Sequence, residues 1–162
     1  MEMTTREQMR ADPGIIYRLA AAVEAWPYIL PHYRRVRVLR EQGERRLVEM
    51  AAHRDRFPVR WMAIQELYPA ERRITFRHVQ GITRGMEVAW TLTPTDDGVR
   101  VEIWHAFTPG WPLIPDGLIK LVIGELFVEN IAGKTLRCIR ELAEAQTRVA
   151  TARDAAAVAA GA

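Results

Sequence analysis

The chain has 162 residues, enough for one domain with a buried core, and its 49% hydrophobic and 27% charged residues are ordinary for a globular protein. The net charge is only +3, and no glycine–aromatic RNA-binding motif is present, which argues against nucleic acid as a partner. No stretch approaches the roughly 20 apolar residues of a membrane span, and the N-terminus lacks a secretory signal. The single cysteine, Cys138, excludes an internal disulfide. Together these features predict a cytoplasmic protein.

The first 31 residues predict one strand followed by two short helices. Residues 3–10 suit a mostly polar strand. Asp12 and Pro13 suit the N-cap and the first position of a helix, whose buried side comes from apolar residues between positions 15 and 23. Residues 26–31 predict a second, short helical turn bounded by prolines.

Residues 33–107 predict six more strands, because apolar residues recur at every second position. The turns between them fall at residues 42–44, 54–58, 69–72, 81–85 and 96–98. If residues 69–72 form a four-residue loop, Tyr68 pairs with Arg73 and Leu67 pairs with Ile74. Trp61 and Gln65 then share the inner face of the strand at residues 59–68, but a one-residue slip would exchange its two faces.

A long helix is predicted from Asp116 to about Ala145, after a proline-rich loop. Residues 148–162 are rich in alanine and are predicted to be frayed helix or a disordered tail, so residues 1–147 form a single predicted domain. A run of strands followed by one late helix predicts an α+β fold, in which a curved antiparallel sheet of seven strands wraps around the helix.

Three stretches resemble the helix-grip superfamily, which includes START lipid-transfer domains, Bet v 1-like plant binders and bacterial polyketide cyclases. Residues 23–31 look like its helix-helix corner, and residues 67–77 look like a hairpin of aromatase/cyclases. Residues 86–92 and 98–107 look like the final hairpin before the long helix. The resemblance covers residues 2–146. It points to the polyketide cyclase/dehydrase-like and coenzyme Q-binding-like branch and implies a helix-grip fold with an apolar pocket.

Strand alternation and the resemblance together predict which side chains face a ligand in that pocket. Most are aromatic or aliphatic, and some come from the loop and the long helix after the last strand. The predicted ligand contacts are Trp26, Tyr28, Met50, Trp61, Gln65, Phe76, His78, Val88, Trp90, Ile103, His105, Phe107, Trp111, Leu113, Phe127 and Asn130.

Three polar members of this set, His78, His105 and Gln65, are candidates for catalysis. Each histidine is either a core residue with its hydrogen bonds satisfied or a group that binds a ligand oxygen or moves a proton. Two histidines without HxxE or CxxC spacing do not supply the three or four ligands of a metal site. We therefore predict neither a metal nor another cofactor.

Three functions are compatible with these patterns. The first is binding of a hydrophobic molecule such as a polyketide, an isoprenoid quinone or a lipid. The second is a polyketide cyclase/aromatase or dehydratase, although the pocket-facing arginine of aromatase/cyclases is replaced here by Ile64 or Gln65, and Arg60 lies too early. The third is an interaction module whose arginine-rich residues 34–60 contact RNA or a membrane surface. Trp104, on the outer face, suggests a homodimer.

Overall fold

The computed structural model describes residues 1–108, 115–119, 121, 123, 124 and 128–161. Its antiparallel sheet has seven strands in the order β1-β7-β6-β5-β4-β3-β2. The strands are β1 (Glu2–Met9), β2 (Tyr33–Gln42), β3 (Arg45–Arg54), β4 (Phe57–Tyr68), β5 (Arg73–Gly81), β6 (Glu87–Thr95) and β7 (Gly98–Ala106). With the long C-terminal helix packed on this sheet, the predicted helix-grip α+β architecture is confirmed.

Two short helices follow the first strand, as predicted. Helix α1 spans Pro13–Ala21, and the carboxylate of Asp12 caps it by accepting a hydrogen bond of 3.1 Å from the backbone N–H of Ile15. A 3-10 turn at Val23–Ala25 leads into α2, which spans Trp26–Ile29. Trp26 is buried, so this corner closes one side of the core.

The helix predicted from Asp116 to about Ala145 is helical at every described position and extends to Gly161. The described residues form a short α3, Asp116–Ile119, and a long α4, Glu129–Gly161, with π-helical turns at residues 121, 123, 124 and 128. At Gly124 a Cβ atom would lie 3.1 Å from the sulfurs of Met1 and Met3, so glycine allows close approach to β1. Among the helices in the described residues, none has the length and hydropathy needed to cross a bilayer.

Helix α4 lies on the concave face of the sheet and buries Leu136, Ile139 and Ala143. Arg140 pairs with Glu7 of β1, which fixes the helix beside that edge strand. After Thr147 every described residue of α4 is exposed, so the buried contacts of the helix end there. The boundary between a domain of residues 1–147 and a tail remains a prediction.

The register between β4 and β5 confirms the predicted four-residue connection. Tyr68 is opposite Arg73 and Leu67 is opposite Ile74, with a 3-10 turn at Pro69–Glu71 between the strands. Trp61 and Gln65 are both buried on the concave face. The alternative register, shifted by one residue, is therefore wrong.

Candidate functional site

A cavity of about 60 Å³ lies between the concave face of the sheet and α4. Its wall is mainly aromatic and aliphatic, with a few polar side chains from the sheet and the helix. The lining residues are Trp26, Tyr33, Met50, Trp61, Phe76, His78, Met86, Val88, Trp90, Ile103, His105, Val128, Ile131, Ala132 and Thr135.

The strand period and the helix period explain why these side chains face the cavity, from the sheet side and the helix side respectively. On the strands every second residue faces inward, as Phe76 and His78 do on β5. On the helical side Val128, Ile131 and Thr135 recur at intervals of three and four residues, which is one face of a helix.

Aromatic rings hold one side of the cavity in place. The indole Nε1 of Trp26 donates a hydrogen bond of 3.0 Å to the carbonyl of Leu19, which orients its ring. The ring packs edge-on against Tyr33 at 4.9 Å and lies 6.0 Å from Trp90. This packing gives a rigid apolar surface.

His78 is a polar group on the sheet side of the cavity. Its Nδ1 lies 2.7 Å from the hydroxyl of Thr83, which is itself fully buried in the turn between β5 and β6. Burial, with a smaller effect from nearby His105, lowers the pKa of His78 to about 3. The imidazole is therefore neutral at pH 7. Among the described residues, its Nε2 has no hydrogen-bond partner, whichever tautomer is present.

His105, on β7, also lines the cavity. Its Nδ1 is buried and has no hydrogen-bond partner within the described part of the chain. Burial lowers the pKa of His105 to about 4, an effect that the backbone carbonyl of Ile103 partly offsets. A buried ring nitrogen without a hydrogen-bond partner costs free energy.

A second polar cluster joins the helix to the start of β2. The hydroxyl of Thr135 donates to the carbonyl of Ile131 at 2.8 Å, and the Nε2 of His32 lies 2.8 Å from the same hydroxyl. Because the hydroxyl proton of Thr135 is already donated to Ile131, the Nε2–H of His32 is the donor to the Thr135 oxygen. Burial and nearby Lys134 lower the pKa of His32 to about 4. Burial also raises the pKa of Tyr33, which contacts Thr135.

The cavity brings together nine of the sixteen predicted contacts. They are Trp26, Met50, Trp61, Phe76, His78, Val88, Trp90, Ile103 and His105.

The other predicted contacts lie elsewhere. Tyr28 is 89% exposed because it lies two residues, or about 200°, around α2 from inward-facing Trp26. Gln65 is fully buried, but its Nε2 donates to the carbonyl of Ala21 at 3.0 Å and it does not line the cavity. Phe107 is buried and Asn130 is partly buried, and neither lines the cavity. The remaining three predicted contacts, Trp111, Leu113 and Phe127, lie outside the described residues.

The sequence prediction missed six lining residues: Tyr33, Met86, Val128, Ile131, Ala132 and Thr135. Met86 was detectable, since it lies two residues before inward-facing Val88. Ile131 was detectable because it shares the apolar face of the helix with Leu136 and Ile139. Thr135 is polar and gave no such signal. Tyr33 was not detectable, because a register shift between Tyr33 and Arg35 breaks the alternation of β2.

Within the described ranges, no three His, Cys, Asp or Glu side chains come together as ligands. Fold and site together define a helix-grip domain with a small, mostly apolar cavity under its C-terminal helix.

Residues 9–133 match the family described as "Polyketide cyclase / dehydrase and lipid transport", and the chain belongs to that family. A comparison with curated proteins found no match.

Solved structures share the fold. One, a protein from Thermus thermophilus, is 24% identical with a TM-score of 0.77 and covers 91% of this chain and 99% of its own. The Zhui aromatase/cyclase from a Streptomyces species is 21% identical with a TM-score of 0.77, covering 93% of this chain and 96% of its own. A START superfamily protein from Mycobacterium smegmatis is 17% identical with a TM-score of 0.66, covering 91% and 97%.

Proposed function

We propose that this protein binds a hydrophobic small molecule, such as a polyketide, an isoprenoid quinone or a lipid, in the cavity under α4. The observation that carries the proposal is an apolar, aromatic wall containing one buried ring nitrogen, Nδ1 of His105, without a protein partner among the described residues. Sites of this kind are mostly apolar with a few polar groups that orient the ligand. Membership of a family named for cyclases and lipid transport supports the same function.

The size of the cavity limits what it holds without rearrangement. A volume of about 60 Å³ is roughly the space of four to six waters, or of one six-membered ring. A larger ligand therefore requires the lining side chains to move. Met50 and Met86 suit that movement, because methionine is unbranched and adapts to irregular shapes.

The electrostatics favour an uncharged ligand. The described lining residues include no lysine, arginine or carboxylate, and both histidines are neutral at pH 7. A carboxylate or phosphate inside would lose its hydration without gaining a counter-charge. A ring or chain with one hydroxyl or carbonyl group would instead gain a hydrogen bond to His78 or His105.

A polyketide cyclase/aromatase or dehydratase acting in the same cavity is the second candidate. The two imidazoles and the structural similarity to aromatase/cyclases favour it. However, acid-base catalysis works best when the pKa of the catalytic group lies near the working pH. Burial lowers the pKa of His78 to about 3 and the pKa of His105 to about 4. Of Ile64 and Gln65, the two candidates for the position of the pocket arginine in aromatase/cyclases, Gln65 faces inward, and its amide donates a hydrogen bond to the backbone of α1. Binding is therefore the better-supported function.

The first experiment is native mass spectrometry of freshly purified protein, followed by solvent extraction and identification of any bound molecule. Ala132→Leu fills the cavity from the helix side and is expected to abolish ligand retention. Ala150→Leu is the matched control, because Ala150 is exposed on the same helix. Equal ligand content in the two variants contradicts the proposal.

If the protein purifies empty, titration with a quinone, a fatty acid and a naphthol tests binding directly. Three of the lining residues are tryptophans, Trp26, Trp61 and Trp90, so binding is expected to change the intrinsic fluorescence. No fluorescence change with any of the three compounds overturns the proposal. Cyclisation of a poly-β-ketone that is lost in both His78→Ala and His105→Ala would instead establish the enzyme.

A further inference from the structure

We propose that the end of the protein formed by the β3–β4 and β5–β6 turns docks on an anionic lipid bilayer. The role of this docking rests on the proposed function, because docking would bring an apolar ligand in the membrane close to the cavity. The contact surface, called the tip surface below, consists of Phe57, Ile82, Arg56 and Arg84.

Both turns carry exposed apolar side chains. Phe57, the first residue of β4, is 65% exposed, and Ile82, just after β5, is 46% exposed. They share a groove of about 420 Å³ whose other wall includes Ile123, and two residues before Ile123 lies Leu121, itself 47% exposed. Single exposed apolar side chains are common on protein surfaces. A cluster of large apolar side chains at one end of a domain instead marks an interaction site.

The groove and the cavity are neighbouring spaces. Thr83 lines the groove and contacts the ring of His78, which lines the cavity. At this point, this pair of side chains therefore lies between the tip surface and the candidate ligand site. This proximity favours a lipid surface as the source or destination of the ligand.

The charge around the two turns is positive. Arg56 and Arg84 are exposed and have no salt-bridge partner among the described residues, and the guanidinium of Arg54 lies 6.0 Å from the ring centroid of Phe57. The acidic residue in the β3–β4 turn, Asp55, is paired with Lys134 at 3.5 Å. Apolar tips with a basic rim match a bilayer that contains anionic headgroups.

The test is co-sedimentation of the full chain with vesicles of phosphatidylcholine, with or without phosphatidylglycerol. We expect binding only to the anionic vesicles, weakening as salt is raised. Phe57→Asp combined with Ile82→Asp is expected to reduce partitioning on the order of tenfold or more. Leu39→Asp is the matched control, because Leu39 is an exposed apolar residue on β2, away from both turns.

The charges are tested separately. Arg56→Glu and Arg84→Glu are each expected to weaken partitioning at least roughly fivefold, from the typical contribution of one basic residue at an anionic surface. Arg153→Glu, on the exposed part of α4, is the control and is expected to bind as the unaltered chain does. All variants alter exposed side chains, so their unfolding midpoints are expected to remain close to the original.

Three outcomes overturn the docking proposal: no binding to anionic vesicles, equal binding to both vesicle types, or equal loss in the tip and control variants. Binding to an acidic polypeptide such as polyglutamate, but not to vesicles, would assign the surface to a protein partner instead. Neither Phe57 nor Ile82 lines the cavity, so ligand content by native mass spectrometry is expected to survive in the tip variants. That readout separates a failure of docking from a failure of the cavity proposal.

Discussion

The imidazole of His78 stacks on the indole of Trp61, with ring centroids 5.7 Å apart and planes inclined by 13°. The hydroxyl of Thr83 holds Nδ1 of the same imidazole. Stacking and hydrogen bond together fix the ring, so the orientation of Nε2 is set before any ligand arrives. A polar group fixed in advance in an apolar wall binds with little loss of side-chain entropy.

Thr83→Val tests whether this anchor stabilises the fold. Valine has the shape of threonine but cannot hydrogen-bond, so Nδ1 of His78 would be buried without a partner. We expect the free energy of unfolding to fall by about 1–3 kcal/mol in urea titrations. Thr93→Val, at an exposed position on β6, is the control and should change little. Equal effects of the two substitutions would mean that the hydrogen bond contributes nothing.

His105→Leu is expected to separate stability from binding. The substitution removes a buried nitrogen that has no partner among the described residues, so the free energy of unfolding should rise, by about 1 kcal/mol. Ligand retention should fall, because the polar attachment point is lost. Chemical denaturation and native mass spectrometry measure the two effects on the same sample. A destabilised variant that retains its ligand contradicts this assignment of His105.

The sequence predicted the strands well because their pattern is local. Alternation identified the inward-facing residues, and the length of one turn was enough to pair Leu67 with Ile74. The failures have different causes. The register shift that turns Tyr33 inward is a property of strand pairing and is not encoded in the spacing of apolar residues. The outward direction of Tyr28 instead follows from its two-residue spacing from inward-facing Trp26 on a helix, so the two side chains could not both face the cavity.

The volume of the cavity also could not be predicted from the sequence. The pattern identifies which residues face inward, but the remaining space depends on side-chain rotamers and on how closely the helix approaches the sheet. The predicted pocket is realised as a cavity of about 60 Å³, well below the roughly 300–1,000 Å³ of typical ligand sites. The orphaned Nδ1 of His105 was likewise invisible, because a missing partner appears only in three dimensions.

Stability should depend on pH through three histidines, the buried His32 and His78 and the partly buried His105. Burial lowers their pKa values to about 4, 3 and 4, compared with 6.5 ordinarily. Below pH 6.5 the unfolded chain binds protons that the folded protein excludes, so stability is complete above pH 6.5 and decreases as the pH falls towards 4. Each histidine adds a slope of up to about 1.4 kcal/mol per pH unit.

Urea titrations between pH 5 and pH 7.5 measure this slope in a range where most carboxylates remain ionised. His105→Leu should reduce the slope of unfolding free energy against pH by the contribution of one histidine. A flat profile between pH 5 and pH 6.5 would show that these three histidines accept protons as readily in the folded protein as in the unfolded chain.

Thr135→Val tests the polar cluster that ties α4 to β2. The substitution removes the hydroxyl oxygen that accepts the hydrogen bond from Nε2–H of His32, and we expect a loss of about 1–3 kcal/mol in the free energy of unfolding. Thr151→Val is a close control, since the Thr151 hydroxyl donates to a carbonyl one turn earlier in the same way but is exposed. Similar losses in both variants would assign the effect to helix propensity rather than to the buried cluster.

Removal of residues 148–162 tests the predicted end of the domain. All described residues in this segment are exposed, so the shortened chain should lose less than about 1 kcal/mol of unfolding free energy. The cut must follow Thr147, because its hydroxyl accepts a hydrogen bond of 2.9 Å from the backbone N–H of Asp12, at the cap of α1. Thr147→Val in the full chain is expected to cost more than the deletion does. Thermal and urea unfolding of both proteins measure the difference, and a larger loss from the deletion would place the end of the folded domain beyond residue 147.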